Sequence, residues 1–485
     1  MVPRTAVLLV LMALAGAAPA AAAPVHVVEA DGDVVLRDDP YLPAAGPLPP
    51  PAAQPAARGS ATPARARAAA RKRTFARVVD DLARDGRLDP LVHDAARDAA
   101  AEARSLLRKL PTGTSKSNLS DVRDLLDGLA ARNQVTPGRI PVLTEILRRN
   151  TEYWNTGRAL SYGARVEFRG SRIVWQYYPG AGIQPQWLGT FGAANAYWKS
   201  NRRASATALG ELLDEVLALA SPRAGGIAWE SFFTFSGAPP VWVSALSQGT
   251  GIQALSRASQ KLERPDFLEA AKQALGIFQT PPPEGVALKR GGGAHYLIYS
   301  TNPRLLVLNG FIQSLNGLWD YAQISQDPVG LQLFEAGDRA AQKELPDYDT
   351  GAWSLYEGTN ESSLSYHQLV REFLQNLCER TQTEAYCATA TRFAQDETDP
   401  PSIRIRTSTA RTRKPVAIRF TLSKKSTVSL YVDDTPITSA TLAYGERSLT
   451  WAGRRKPGPV TVTLKAKDLA GNTAEVSKTI VLKRK

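Results

Sequence analysis

RLLVLNGFIQSLNGLWDYAQISQDPVGLQLFEAGDRAAQKEL, residues 304–345, carries apolar residues every three or four positions in two runs, 304–323 and 327–345. That period is the helical one. The same period recurs in FARVVDDLARDGRLDPLVHDAARDAAAEARSLLRKL from Phe75, in SDVRDLLDGLAARN from Ser120, and in TPGRIPVLTEILRRNTEYWNTG from Thr136. It returns at about 204–220, 242–260, 265–279 and 365–381. Ser120 and Asp121 are the expected N-caps of the second of these helices. Pro137 and Gly157 bracket the third. Many helices of similar length predict an antiparallel helical array with its loops gathered at one end, where a site is to be sought.

Two hairpins interrupt the array. YGARVEFRGSRIVWQYY turns around Arg169-Gly170-Ser171 and runs into an aromatic, Gly-rich loop, WQYYPGAGIQPQW, from Trp175 to Trp187. GVALKRGGGAHYLIYS turns around Gly291 to Gly293. After Asp399 the period becomes two in SIRIRTS, KPVAIRFTLS, STVSLYVDD, RSLTWAG, GPVTVTLKAKDLAGN and AEVSKTIVLK. Such short strands with Gly, Pro, Asp and Asn at the turns predict a β-sandwich of about 85 residues.

The first 23 residues, basic at Arg4, apolar from Ala6 and small near Ala20 to Ala23, fit a secretion signal. No later stretch approaches the roughly 20 apolar residues of a spanning helix. Residues 24–71 are rich in Pro and Ala and read as a disordered linker with a basic end. The net charge is +13, but residues 399–485 hold 18 Lys and Arg against 6 Asp and Glu, so nearly all of the surplus lies in the C-terminal module. Cys378 and Cys387 are expected to close a local disulfide in an oxidising compartment. The four histidines, His26, His93, His295 and His367, have no ligand spacing to one another or to a cysteine, so no metal is expected.

In order along the chain, WVSALSQGTGIQALSRA (242–258), VLNGFIQSLNGLWD (307–320), LPDYDTG (345–351) with Tyr356 behind it, and Tyr366-His367 resemble the C-terminal domain of D-glucuronyl C5-epimerases, over about residues 225–380. KAKDLAGNTAEVS resembles the last hairpin of bacterial immunoglobulin-like modules. The expected fold is therefore mainly α: a toroid-like helical domain over 72–398 with short hairpins, then a basic immunoglobulin-like sandwich over 399–485. The resemblance implies an anionic-glycan cleft and catalytic tyrosines at Tyr299, Tyr348 and Tyr366, with no redox cofactor. Substrate contacts are expected at Trp242, Gln248, Arg257, Asn309, Tyr356 and His367, and at Trp175, Gln176 and Tyr177 of the aromatic loop. Ile298 stands where a family member has an acid before the first tyrosine; Ser365 and Val370 replace an Asp and a second His near the last.

Taking a proton from the carbon beside a carboxylate creates a second negative charge, so a base near the carbon and donors or cations near the carboxylate are required. A free tyrosine, with a pKa of about 10, is roughly one part in a thousand phenolate at neutral pH, and neighbouring cations are expected to lower it. Arg257, Arg304, Lys289 and Arg290 are the candidates. Two proton-transfer groups on opposite faces give an epimerase; one face served, with the C4 substituent expelled, gives a lyase. The residues by themselves also fit packing roles: Tyr348 anchoring a turn capped by Asp349 or Thr350 with Gly351 at positive φ, Tyr299 on a half-buried strand, His367 and Trp242 in a core. The expected function is an exported enzyme inverting C5 of uronate residues in a polysaccharide, with the lyase or a non-catalytic glycan-binding envelope protein as alternatives. The basic module is expected to meet a cell-wall polymer. Nucleic acid is a poor partner, because secretion and the lack of a nucleic-acid fold signature outweigh the basic strands.

Overall fold

Helices Ala245–Lys261 and Leu308–Ser325 are buried on nearly every side and cross each other at their glycines. A Cβ on Gly317 would lie 2.0 Å from the Gly249 carbonyl oxygen, and one on Gly249 would lie 2.6 Å from Ser314 Cα. Only glycine permits so close a backbone approach. The computed structural model describes residues 23–42, 48, 73–412, 414–453 and 456–484. Around the central pair, Trp187–Lys199 and Pro265–Gln273 pack on the first helix, and Pro328–Glu344 and Leu364–Thr381 on the second. Phe75–Arg84, Pro90–Lys109, Thr114–Ala131 and Ile140–Asn155 pack among themselves in the same manner. The helical expectation holds for this domain.

Three local readings are corrected. First, part of the supposed linker is ordered: Ala23–Val28 and Val34–Asp39 form a hairpin, and Ala23–Val28 pairs in parallel with Arg165–Phe168. The apolar residues of VHVVEADGDVVLRDD and its Asp-Gly turn are a hairpin signal of their own; Val25, Val27 and Val28 are buried. That signal was diluted by the prolines and alanines that follow. Residues 1–22 of the leader, and 43–47 and 49–71 of the linker, lie outside the described residues.

Second, WQYYPGAGIQPQW is not a loop. Trp175–Tyr178 and Gly182–Pro185 complete a five-stranded sheet, in the order Val34–Asp39, Ala23–Val28, Arg165–Phe168, Trp175–Tyr178, Gly182–Pro185. All eight residues of the last two strands are buried. Sheet strands covered on both faces lose the alternation by which strands are recognised. Third, the helix assigned to Ser120 begins at Thr114, with Gly113 at its N-cap, so Ser120 and Asp121 lie inside it.

Beyond Asp399, two sheets share one core that includes Ile418, Phe420, Leu430, Val462, Leu464 and Ile480. One sheet orders Ile403–Ile405, Val416–Leu422 and Gly445–Trp451; the other orders Thr409–Arg411, Thr473–Lys483, Gly458–Asp468, Ser426–Val432 and Thr435–Leu442. The alternation that identified these strands is the alternation of their burial. Cys378 and Cys387 are bonded, tying the end of Leu364–Thr381 to the first turn of Glu384–Asp396. Closing so short a loop restricts the unfolded chain, and Cys378→Ser is expected to cost about 2–3 kcal/mol in denaturant titrations.

Candidate active site

Tyr299 follows the hairpin Ala287–Arg290/Gly293–Tyr296, and its segment is laced to the residues preceding the central helix. The Ser300 N–H donates to the Val243 carbonyl at 3.0 Å, the Val243 N–H to Ser300 Oγ at 3.2 Å, and the Ala245 N–H to the Leu297 carbonyl at 3.0 Å. The Tyr299 ring meets the Trp242 ring edge-on at 5.0 Å and Phe235 at 6.0 Å, and Ser236 partly opposes the rise that burial imposes on its hydroxyl's pKa. Trp242 is fixed by its indole N–H, which donates to the Phe233 carbonyl.

Tyr178 joins this group from the sheet, 4.5 Å from Phe233 and 5.7 Å from Phe235, and Tyr162 lies 6.2 Å from Tyr178. Gln176 Nε2 donates to the Tyr178 hydroxyl. Arg165, buried on the neighbouring strand, brings positive charge towards Tyr178. Tyr356 packs on the same apolar cluster. Its ring is 4.8 Å from that of Tyr366, and each phenol shifts the other's pKa. Ser363 sets Tyr366 in the first turn of Leu364–Thr381 by accepting its backbone N–H. Tyr178 and Tyr299 thus form a buried floor, with half-buried Tyr162, Phe235, Tyr356 and Tyr366 at its edge.

Of the three tyrosines expected to react, the structure brings two, Tyr299 and Tyr366, into this cluster. Tyr348 lies in the main helical core, its hydroxyl donating to the Leu306 carbonyl at 3.3 Å, with Glu357 as a charged neighbour in common with Tyr299 and Tyr356. Its turn is built as a capped bend. Asp349 Oδ1 accepts the Gly351 N–H, Thr350 Oγ1 accepts the N–H groups of Ala352 and Trp353, and Gly351 has φ +81°.

Several expected substrate contacts point inward instead. Trp175 has no exposed surface and its indole donates to Ser171 Oγ; Gln176 is also buried, and the Tyr177 hydroxyl donates to Asn118 Oδ1. Gln248 is buried and donates to the Trp229 carbonyl. Asn309 is buried, with its Oδ1 lacking a hydrogen-bond partner among the described residues. Arg257 sits thirteen residues beyond Ser244, about 20 Å along the helix from the Trp242 end. There it pairs with Asp320 at 2.7 Å and lines an open cavity of about 560 Å³ with Trp198, Lys199, Asn201, Gln260 and Lys261.

His367 is closed off completely. Its ring stacks on Trp353 at 3.8 Å, Nδ1 meets Ser354 Oγ at 2.8 Å, and Nε2 meets the Phe393 carbonyl at 2.8 Å. Burial lowers its pKa from 6.5 to about 4. The folded protein keeps this imidazole neutral while the unfolded chain protonates it, so its contribution to stability is full above about pH 6.5 and is lost as pH falls towards 4, a change of roughly 3 kcal/mol. Asp396, pushed up to about 6 by burial and by Asp349, works in the opposite direction. Denaturant titrations of His367→Gln beside the parent are expected to isolate the histidine as the difference between their pH slopes.

The phenols run against expectation. Burial raises Tyr178, Tyr299, Tyr348 and Tyr356 well above the ordinary value, and no cation outweighs it. Tyr366 is also raised by burial, but Tyr356 opposes the rise. At neutral pH these groups are proton donors. Tyr162, Arg165, Phe235 and Ser236 were not singled out from the sequence because they lie outside the matching motifs, and Tyr178 entered only as one aromatic of the stretch Trp175 to Trp187. The one available signal was the density of aromatics itself.

Residues 225–395 match the family described as the D-glucuronyl C5-epimerase C-terminus. The D-glucuronyl C5-epimerase of Caenorhabditis elegans is 35% identical over 132 residues, covering 24% of this chain and 21% of that protein. An uncharacterised protein of Methanocaldococcus jannaschii is 27% identical over 151 residues, 30% of this chain and 49% of that protein. The chain therefore spans less than half the length of the curated relatives it matches. Among solved structures, the cellobiose 2-epimerase of Spirochaeta thermophila has TM-score 0.35 at 13% identity, covering 70% of this chain and 87% of that one. That of Bacillus thermoamylovorans has TM-score 0.34 at 12% identity, covering 44% and 59%.

Proposed function

We propose that this chain is a carbohydrate epimerase that inverts C5 of uronate residues in a polysaccharide by tyrosine-mediated proton transfer. The observation that carries this reading is the convergence of Tyr299, Tyr356 and Tyr366 on one half-open aromatic cluster, within a helical region matching the epimerase family. Tyr299 follows the Gly293–Tyr296 strand and Tyr366 stands in the first turn of Leu364–Thr381, and this reading sets one on each face of the sugar. Tyr366 is the base in this reading, since Tyr356 favours its phenolate; Tyr299, held protonated by burial, is the group left to return a proton. Arg165 supplies positive charge on the sheet side of the cluster, where it would offset the charge of a uronate carboxylate.

Ile298 is buried and packs 3.3 Å from the position a Cβ would take on Gly310, so the site of the family member's acid is apolar here. The proton path in this reading runs through tyrosine hydroxyls alone. The same apolar residue favours the second reading, a glycan-binding protein without turnover. An oxidising compartment is the setting for either reading, supported by the Cys378–Cys387 bond. In both, the C-terminal module, immunoglobulin-like in its last hairpin and strongly basic, meets an anionic polymer.

Incubation with glucuronate-, galacturonate- and mannuronate-containing polymers in deuterated water decides between them. Deuterium at C5 supports the epimerase. An unsaturated product absorbing in the ultraviolet identifies a lyase, and tight binding without either identifies the binding protein.

A further inference from the structure

We infer that the C-terminal two-sheet module is a working part of the tyrosine site, positioning Tyr356 through a grip on the Glu361 carboxylate. Tyr356 is carried by a very short hairpin, Leu355–Glu357 paired with Asn360–Glu361, in which Leu355 lies opposite Glu361. A hairpin of that length does not hold its own shape in water. Its far strand is held from outside: Glu361 Oε1 accepts the Lys425 N–H at 2.6 Å, and Oε2 accepts the Tyr444 N–H at 2.8 Å. Both donors are backbone groups of the C-terminal module, so one carboxylate joins two separate segments of that module to the strand beside Tyr356. Hydrogen bonds to a charged acceptor are among the stronger ones in proteins.

A second attachment secures the same region from beneath. Lys424, 2% exposed, donates to the carbonyls of Asp396 and Asp399 at 2.6 Å each and pairs with Asp468 at 3.2 Å. Its ammonium lies 5.4 Å from the Trp353 ring, whose indole N–H donates to the Ser362 carbonyl directly after the hairpin. These contacts are fully committed inside the molecule and leave the exposed basic residues of the module free for a polymer. The module therefore has a role at the site separate from any anchoring by its surface charge. Glu361 is a positioning residue: it acts on the reaction through Tyr356, whose ring packs 4.8 Å from that of Tyr366.

The effect on turnover rests on the proposed epimerase reading; the grip itself does not. The test compares the full-length parent with Glu361→Gln and Glu361→Asp by amide hydrogen exchange, thermal midpoint and, on a uronate polymer, C5 deuterium incorporation. Glu361→Gln turns one accepting oxygen into an NH2 group facing a backbone N–H. Exchange over residues 355–362 is expected to rise about tenfold or more, with the C-terminal strands and central helices unchanged. In the same variant kcat is expected to fall about tenfold while KM stays within about twofold, since the ordering of a reacting group and not uniform binding is lost. Glu361→Asp, which keeps the charge but shortens the reach, is expected to lie between the two, and is read in place of Glu361→Gln if that variant does not fold. Unchanged exchange in the hairpin overturns the inference, as does a rise spread evenly over the chain or a kcat loss that merely follows the folded fraction. If the parent incorporates no deuterium on any uronate polymer, the epimerase reading falls, and hairpin exchange still decides the grip.

Discussion

Tyr299→Phe is expected to reduce C5 deuterium incorporation by at least about a hundredfold, the lower range for loss of a positioned general acid or base. The substitution removes one hydroxyl and keeps the ring that packs on Trp242 and Phe235, so the cluster retains its shape. With the ring kept in place, the thermal midpoint is expected to move by a few degrees at most. Binding of the polymer, measured without turnover, is expected to persist within a few-fold. Retention of most of the proton exchange in a well-folded Tyr299→Phe protein would sink the assignment of this group. Because Tyr299 is buried and shifted upward, its work is donation, and the reverse proton transfer depends on the same hydroxyl.

The second large effect lies in the pH profile. A base whose pKa is raised is mostly protonated at neutral pH, so kcat/KM is expected to climb about tenfold per pH unit on the alkaline side until Tyr366 titrates. The sign follows from the direction of the shift: burial moves Tyr366 upward, and the phenolate fraction grows as pH rises. Tyr366→Phe is expected to abolish this limb together with exchange, by about a hundredfold or more at pH 8. Tyr356→Phe retains the base but removes the hydroxyl that favours its phenolate. The rise then moves to higher pH, and rates at a fixed pH below it drop by about tenfold. A flat alkaline profile in the parent, or a Tyr356→Phe profile superimposable on it, would remove Tyr366 from the role of base.

The local turn around Tyr348 was readable because its caps are local: Asp349, Thr350 and Gly351 act on neighbours two or three residues away. The same holds for the disulfide, whose partners are close in the chain and at facing helix ends. The strands of the sheet were harder to read. Trp175–Tyr178 and Gly182–Pro185 are covered on all sides and carry no alternation, and Val25–Val28 find their partner strand far along the chain at Arg165–Phe168. Their burial depends on a partner that local pattern does not specify.

Most of the helices, the change to strands after Asp399 and the basic surplus of the C-terminal module were legible in residue order alone. Periodicity reports which side of an element faces the interior, and that is a property of each segment alone. Which of the candidate residues meet is a matter of packing between distant segments. That packing joined Tyr162 and Tyr178 to Tyr299, set Tyr366 against Tyr356, carried Arg257 to the opposite end of its helix, and turned His367 inward onto Trp353. It also brought Lys425 and Tyr444 to Glu361. Such meetings are set by how whole elements pack, and a helix with two buried faces presents the same period whichever of them carries the chemistry.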